Sequence, residues 1–374
     1  MNIRSIAIHL PQFHPIPEND EWWGKGFTEW TNVAKAKPLF KGHYQPHLPA
    51  DLGFYDLRLA EARQAQADLA KQHGIYGFCY YHYWFNGERL LEEPVKRILE
   101  SEEPDFPFML CWANENWTRR WDGGENIILK KQDYSKDDAL AHIRSLIPVF
   151  KDKRYIKVDG KPVFSIYKSQ LIPCIEDYVR IFREEAAKHG MELYLCQFET
   201  STRNNQQKSY DFDASVEFQP FSSLMYQYQK EVFRDKVIKN LPLRIYLKFL
   251  QKSGLGKTRH NLLHRIYSQL SYAGYVDFLR RNYKYPSAYK RFPCVTPMWD
   301  NTARRGQESF LFKESTPEKY QEWLRFHRTN FNAYGTDENF IFINAWNEWA
   351  EGNHLEPCLK WGNSYLDATK AALQ

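Results

Sequence analysis

The 374-residue chain is poor in cysteine, and its six thiols, at positions 79, 111, 174, 196, 294 and 358, form no CxxC and no close Cys/His cluster. Such scatter argues against a zinc site. Most of these thiols lie inside apolar runs such as Tyr76-Gly-Phe-Cys-Tyr80, as buried thiols in a reducing compartment do. Long apolar runs are absent as well: none approaches the roughly 20 residues that a spanning helix requires. The amino terminus, Met1 to Leu10, has no apolar stretch of signal-peptide length and reads straight into a strand. A cytoplasmic location is therefore expected, at the inner face of the membrane if the basic segment described below touches lipid. No GxGxxG follows the first strand, and Gly254-Leu-Gly-Lys-Thr258 is not a phosphate loop, because Gln251 stands where the first glycine is required. With no clear metal-binding DxD either, neither a cofactor nor a metal is expected.

Aromatic residues, by contrast, make up 16% of the chain, with 12 Trp and 24 Tyr, more than a core needs. Trp and Tyr offer flat faces with polar edges. The C–H faces of a sugar ring lie on such planes while its hydroxyls seek amides and carboxylates. An oligosaccharide or polysaccharide is thus the expected partner, and nucleic acid is not. The net charge of +5 is uneven: Phe221 to Arg291 holds 15 Lys/Arg against 3 Asp/Glu, so this segment carries +12 and the remainder −7.

Short apolar runs rich in β-branched and aromatic residues alternate with amphipathic stretches, the pattern of a parallel sheet wrapped in helices. Eight strands are expected: Ser5 to His9, Ile75 to Tyr81, Phe106 to Trp112, Pro162 to Tyr167, Glu192 to Phe198, Ala214 to Phe218, Cys294 to Trp299 and Phe340 to Trp346. Helical periodicity covers Leu57 to His73, Pro94 to Ser101, Asp137 to Phe150, Ile175 to His189, Pro317 to Asn330 and Ser364 to Leu373. These elements favour a (β/α)8 barrel spanning residues 1–374 over an open doubly wound sheet. Residues 221–291 interrupt the rhythm between the sixth and seventh strands as a largely helical, basic insertion holding nine tyrosines. It reads as a solvated cover, with peripheral membrane contact or an anionic glycan as alternatives.

Several strands end in the same vocabulary of aromatics, amides, His and acids: His9-Leu-Pro-Gln-Phe-His14, Tyr80-Tyr-His-Tyr-Trp84, Trp112-Ala-Asn-Glu-Asn-Trp117, Trp299-Asp-Asn301 and Trp346-Asn-Glu-Trp349. In a barrel those carboxyl ends open on one face. Cleavage of a glycosidic bond commonly uses two carboxyl groups, and Glu348 and Glu351, spaced i, i+3 after an apolar strand, lie on one face of a turn. They are the candidate catalytic pair. An apolar rim and a second carboxylate both raise a carboxyl pKa, which keeps one acid protonated near neutrality.

Leu10-Pro-Gln-Phe-His-Pro15, Trp22-Trp-Gly-Lys-Gly-Phe-Thr-Glu-Trp30, His43-Tyr-Gln-Pro-His-Leu-Pro49, Trp112 to Asp122 and Trp346 to Gly352 together resemble the WbsX family of O-antigen and capsule loci. That family is similar in its barrel to the endo-α-mannosidases and endo-α-mannanases of glycoside hydrolase family 99. The hydrolase motif Glu-Trp-His-Glu-Gly falls on Glu348 to Gly352, with Ala350 in place of the histidine. The resemblance implies that Glu348 removes the proton of the sugar 2-hydroxyl, whose oxygen attacks the anomeric carbon to give a 1,2-anhydro sugar. Glu351 would assist the leaving group and then activate water. The implied activity is a retaining, endo-acting hydrolysis of an α-linked, mannose-configured polysaccharide; Ala350 weakens the transfer of that sugar preference. His9, Trp30, Tyr81, His82, Trp112, Asn114, Glu115, Trp299, Asn344 and Asn347 are candidates for the sugar pocket, each near the expected catalytic face. A glycosyltransferase of O-antigen or capsule assembly, acting on a lipid-linked glycan, and a non-catalytic glycan-binding protein are the competing readings.

Overall fold

The computed structural model describes residues 3–119, 124–200 and 211–374, so the end of the Trp112 to Asp122 motif lies outside the described residues. Eight parallel staves close into a barrel. They are Arg4–His9, Gly77–Phe85, Phe108–Trp112, Lys161–Ile166, Tyr194–Glu199, Ala214–Glu217, a seventh made of Arg291–Phe292 and Cys294–Val295, and Phe340–Ile343. Each pairs with its sequence neighbour, and the eighth returns to the first through Arg4↔Phe340 and Ile6↔Phe342. The seventh stave is split by Pro293, which has no N–H to give a ladder. Its two halves each take one side: Ser215 pairs with Arg291 and Cys294 with Phe342, while Phe342 N–H donates to Pro293 O at 2.9 Å.

The second strand begins at Gly77, two residues later than the apolar run suggests, because Ile75 ends the preceding helix. Helix Ala60–Gln72 closes with Gly74 at φ +80°, Gly74 N–H bonding Lys71 O and Ile75 N–H bonding Ala70 O. This is the left-handed stop in which the two residues after the cap satisfy the last carbonyls. Helix Ile175–Lys188 ends the same way at Gly190 and Met191.

The basic segment between the sixth and seventh staves is not uniform. Helix Tyr272–Asn282 belongs to the barrel's outer ring: Tyr272 and Tyr275 are fully buried and pack on Phe312 and Trp323. Helices Leu241–Lys252 and Gly256–Ser268 are mostly exposed.

Candidate functional site

The eighth strand stops at Ile343, and the chain then folds into a short hairpin in which Asn347–Glu348 pairs antiparallel with Asn353–His354. A 3₁₀ turn, Trp349–Glu351, joins the two arms and ends at Gly352 with φ +52°. Residues three apart eclipse in a 3₁₀ turn, so Glu348 and Glu351 emerge on the same side. The hairpin is held from behind by the indole of Trp349, which stacks on His354 at 3.8 Å and donates to Glu356 Oε2 at 2.6 Å. Glu356 also accepts from Tyr55 and Gln66, yet burial still pushes its carboxyl up to about 7.

Arg304, in the short helix Thr302–Arg305 after the seventh stave, gathers three carboxylates. Its Nη1 donates to Glu351 Oε1 at 2.8 Å, and its Nη2 to Glu348 Oε2 at 2.9 Å and Glu29 Oε1 at 2.7 Å. Glu29 opens helix Glu29–Lys35, is fully buried, and also accepts from the Ala350 N–H at 2.9 Å. One guanidinium therefore sets the geometry of both candidate catalytic acids. Burial drives the Glu348 carboxyl up to about 8; Arg304 opposes this, and the charges of Glu351 and Glu29 reinforce it. Glu351 is shifted upward by burial too, against the pull of Arg304 and with the push of Glu29. Three acids gather on Arg304 and repel one another in a buried setting, so the cluster favours keeping a proton although the charge of Arg305 also reaches Glu351.

Glu348, Glu351 and Arg304 form one wall of a cavity of about 240 Å³ at the carboxyl ends of the strands. Much of the remaining lining is aromatic, with Trp22, Trp23, Tyr81, Tyr83, Trp117 and Trp299 among it. Trp22 and Tyr83 both meet the edge of Trp117, at 5.6 and 5.3 Å. Tyr81, Tyr83 and Tyr167 keep their phenolic protons, because burial raises all three and nearby Glu348 adds to it. Trp299 Nε1 has no hydrogen-bond partner among the described residues. Beyond Glu351 the cleft continues into a second compartment of about 380 Å³ reaching Lys168, Thr200 and Arg305. Glu115 stands at the junction of the two and pairs with Lys168 at 2.7 Å. Planar hydrophobic faces beside acids and amides are what a sugar ring needs.

Of the ten residues expected in the pocket, Tyr81, Glu115 and Trp299 line the cavity together with the two acids. The others lie around it. His82 turns outward to the His142 Nε2, 2.9 Å away on helix Lys136–Phe150, and Trp112 stacks on Tyr178 of helix Ile175–Lys188. His9 faces Gln66 of helix Ala60–Gln72 at 3.1 Å, and Trp30 donates to Tyr55 O. The three asparagines tie strand ends together. Asn347 brackets the N–H and C=O of Leu10, Asn114 does the same to Lys168, and Asn344 donates to Gln219 O. Alternation explains the split on the second strand, where Tyr81 and Tyr83 face the cavity and His82 and Trp84 the helices.

Sequence reasoning overlooked Glu29 and Arg304. Glu29 had a signal, since Thr28-Glu29-Trp30 repeats the pattern of Asn347-Glu348-Trp349. Arg304 had none: an Arg-Arg pair reads as solvated until the fold buries it. His43 pairs with Asp300 at 2.6 Å, and His47 meets His354 at 3.0 Å. Asp211-Phe-Asp213 has DxD spacing, but Asp213 is engaged by Arg183 and by the Leu195 N–H. Among the described residues no group of three or more His, Cys, Asp or Glu could hold a metal ion, and no helix is long and apolar enough to cross a membrane.

The sequence profile of a family described as "Glycosyltransferase WbsX" matches residues 5–369. A protein named WxcX and described as uncharacterized, from two strains of Xanthomonas campestris pv. campestris, is 37% identical over 371 residues. That match covers 98% of this chain and 49% of WxcX, so the chain spans about half the length of the curated relatives it matches. Among solved structures, a "Glycoside hydrolase-like protein" aligns with a TM-score of 0.56 at 14% identity, covering 100% of this chain and 94% of that one. The GH99 endo-alpha-mannosidase from Bacteroides thetaiotaomicron aligns with a TM-score of 0.56 at 12% identity, covering 99% of this chain and 96% of that one. At these identities the structural likeness bears on the fold.

Proposed function

Because the chain belongs to the WbsX glycosyltransferase family, whose fold here is that of the GH99 barrels, we propose that its cleft breaks an α-linked glycosidic bond of a bacterial polysaccharide with retention of configuration. The observation that carries this reading is the gathering of Glu348 and Glu351 on Arg304 at the wall of an aromatic cavity. Family and fold together support a glycan-active enzyme. The mechanism is the one implied by the resemblance of Glu348 to Gly352 to the hydrolase motif.

Glu348 takes the proton of the 2-hydroxyl as that oxygen attacks the anomeric carbon, and Glu351 gives its proton to the departing oxygen. A 1,2-anhydro sugar results, with no bond to the protein. Glu351, now ionised, deprotonates the incoming water, whose oxygen opens the three-membered ring at the anomeric carbon, while Glu348 returns its proton to the 2-oxygen. Two inversions give net retention. Burial raises both acids and Arg304 couples them, so the pair retains a proton; the first step uses the form in which Glu351 holds it and Glu348, a desolvated carboxylate, is the base. Trp299 and the tyrosines supply ring faces and donors for a manno-configured sugar.

A second reading is favoured by the family's own description as glycosyltransferases. An acceptor sugar hydroxyl entering where water would attack turns the same chemistry into transfer between glycans. The test incubates free and lipid-linked polysaccharides with the protein and with Glu348→Gln and Glu351→Gln, following products by mass spectrometry. Each substitution is expected to lower turnover by about 10²–10⁴-fold. Turnover surviving in both variants would remove the two acids from the mechanism, and dependence on an added nucleotide sugar would replace it with a conventional transferase reaction.

A further inference from the structure

Seven of the fifteen large apolar side chains exposed among the described residues fall within residues 238–267. They are not scattered there. Leu241, Ile245 and Phe249 recur every four residues along helix Leu241–Lys252 and are 60, 60 and 59% exposed. At 3.6 residues per turn they form one ridge. The same helix buries Leu247 and Leu250 on its opposite side, so its inner face is already satisfied and the outer ridge is additional. Ile238 just before the helix and Leu255 just after it, 51 and 48% exposed, add apolar surface near its two ends.

Charge tells what the ridge meets. Arg244, Lys248 and Lys252 follow the same four-residue spacing and run alongside the apolar row, all exposed. Residues 236–268 contain eight Lys/Arg and no Asp/Glu. Burial lowers the pKa of Lys313, and the charges of Lys236 and Arg265 add to that. An apolar ridge beside a purely cationic strip is the makeup of a helix that lies in a membrane interface, with its side chains among the acyl chains and its cations at anionic headgroups. The uniformly cationic strip selects an anionic surface, and it repels the same face of a second copy.

We propose that helix Leu241–Lys252 is a peripheral docking surface for an anionic lipid bilayer. Its 12 residues make a rod of about 18 Å, suited to lying in the interface and too short to span. The helix belongs to the basic segment that starts at Phe221, a residue of the cleft's lining. The proposal does not depend on the chemistry proposed for Glu348 and Glu351, and vesicle binding and glycan turnover are separate readouts.

The test is co-sedimentation of the whole chain with vesicles of phosphatidylcholine containing phosphatidylglycerol, and with phosphatidylcholine alone, at low and high salt. Binding is expected with the anionic vesicles and is expected to weaken as salt rises. Removing each of Arg244, Lys248 and Lys252 by substitution with Gln should lower partition about fivefold. Ile245→Ser with Phe249→Ser should lower it about tenfold or more. All five positions are solvent-exposed, and an unchanged thermal melt verifies that the variants fold. Hydrogen exchange adds an independent measure: residues 241–252 should gain protection on anionic vesicles. No binding to phosphatidylglycerol vesicles at low salt would overturn the proposal, as would equal binding by the Ile245→Ser/Phe249→Ser variant. Concentration-dependent dimers that this variant disperses, without vesicle binding, would give the face to a second copy instead.

Discussion

At the scale of residues, the site is governed by a charge imbalance. Glu29, Glu348 and Glu351 surround one guanidinium, and burial removes the water that would otherwise separate their charges. The proposed chemistry needs Glu348 ionised and Glu351 protonated, so kcat/KM should trace a bell whose two limbs belong to the coupled pair. Glu29 pushes both pKa values up. Glu29→Gln takes that push away, and both limbs are expected to move toward lower pH while Gln keeps an oxygen for Arg304 and Ala350. A pH–rate profile measures this directly, and limbs that stay in place would mean that Glu29 does not tune the acids. Neighbouring positions on one strand divide by face, so Tyr81 meets the cavity while His82, one residue later, is neutral among the helices with its pKa lowered to about 3 by burial.

The elements explain why the acids stand where they do. The hairpin after the eighth strand is locked to the end of the seventh stave: Asp300 N–H donates to Glu351 O at 2.7 Å, and His43 holds the Asp300 carboxylate. Gly352 passes close over this contact. A Cβ there would lie 2.9 Å from both Cβ and O of Asp300, at a backbone φ of +52° that favours glycine. Gly352→Ala should therefore cost about 2–3 kcal/mol and reduce activity by displacing Glu351. Gly362 has a similar φ of +49° with nothing within 4 Å of its added Cβ, so Gly362→Ala isolates the backbone strain at about 1 kcal/mol. Thermal melts of the two variants test the difference, and equal losses would show that contact with Asp300 is unimportant.

Over the whole molecule, buried titratable groups set the response to acid. Burial lowers His9, His82 and His327 to about 3 and His47 to about 4, so the folded protein stays unprotonated at these sites where the unfolded chain takes up protons near 6.5. Their stabilising effect is full above pH 6.5 and declines as pH falls toward 3–4, by about 1.4 kcal/mol per group and pH unit. Glu348 and Glu356, raised to about 8 and about 7, act in the opposite sense: the folded state holds their protons first, so their effect favours folding as pH falls to about 4.5 and then levels off. The two carboxyls offset only half of the four histidines, so the urea midpoint should already fall between pH 6.5 and 4.5 and should fall more steeply just below 4.5, where the carboxyls no longer contribute. A slope that does not steepen through pH 4.5 would show that the carboxyls do not offset the histidines. The eight staves and most of their helices were legible in the sequence, because burial on both faces of a parallel strand leaves apolar runs and helices leave a 3.6-residue rhythm. The strand-end clusters and the spacing of Glu348 and Glu351 were legible for the same reason: they are local patterns. Which strand-end side chain faces the cavity was decided by pleat and barrel closure, which separate Tyr81 from His82 and turn Asn114, Asn344 and Asn347 into ties between strand ends. Only tertiary structure could bring Glu29 to Arg304 across 275 residues, because their attraction gains its strength from a burial that neither segment has alone.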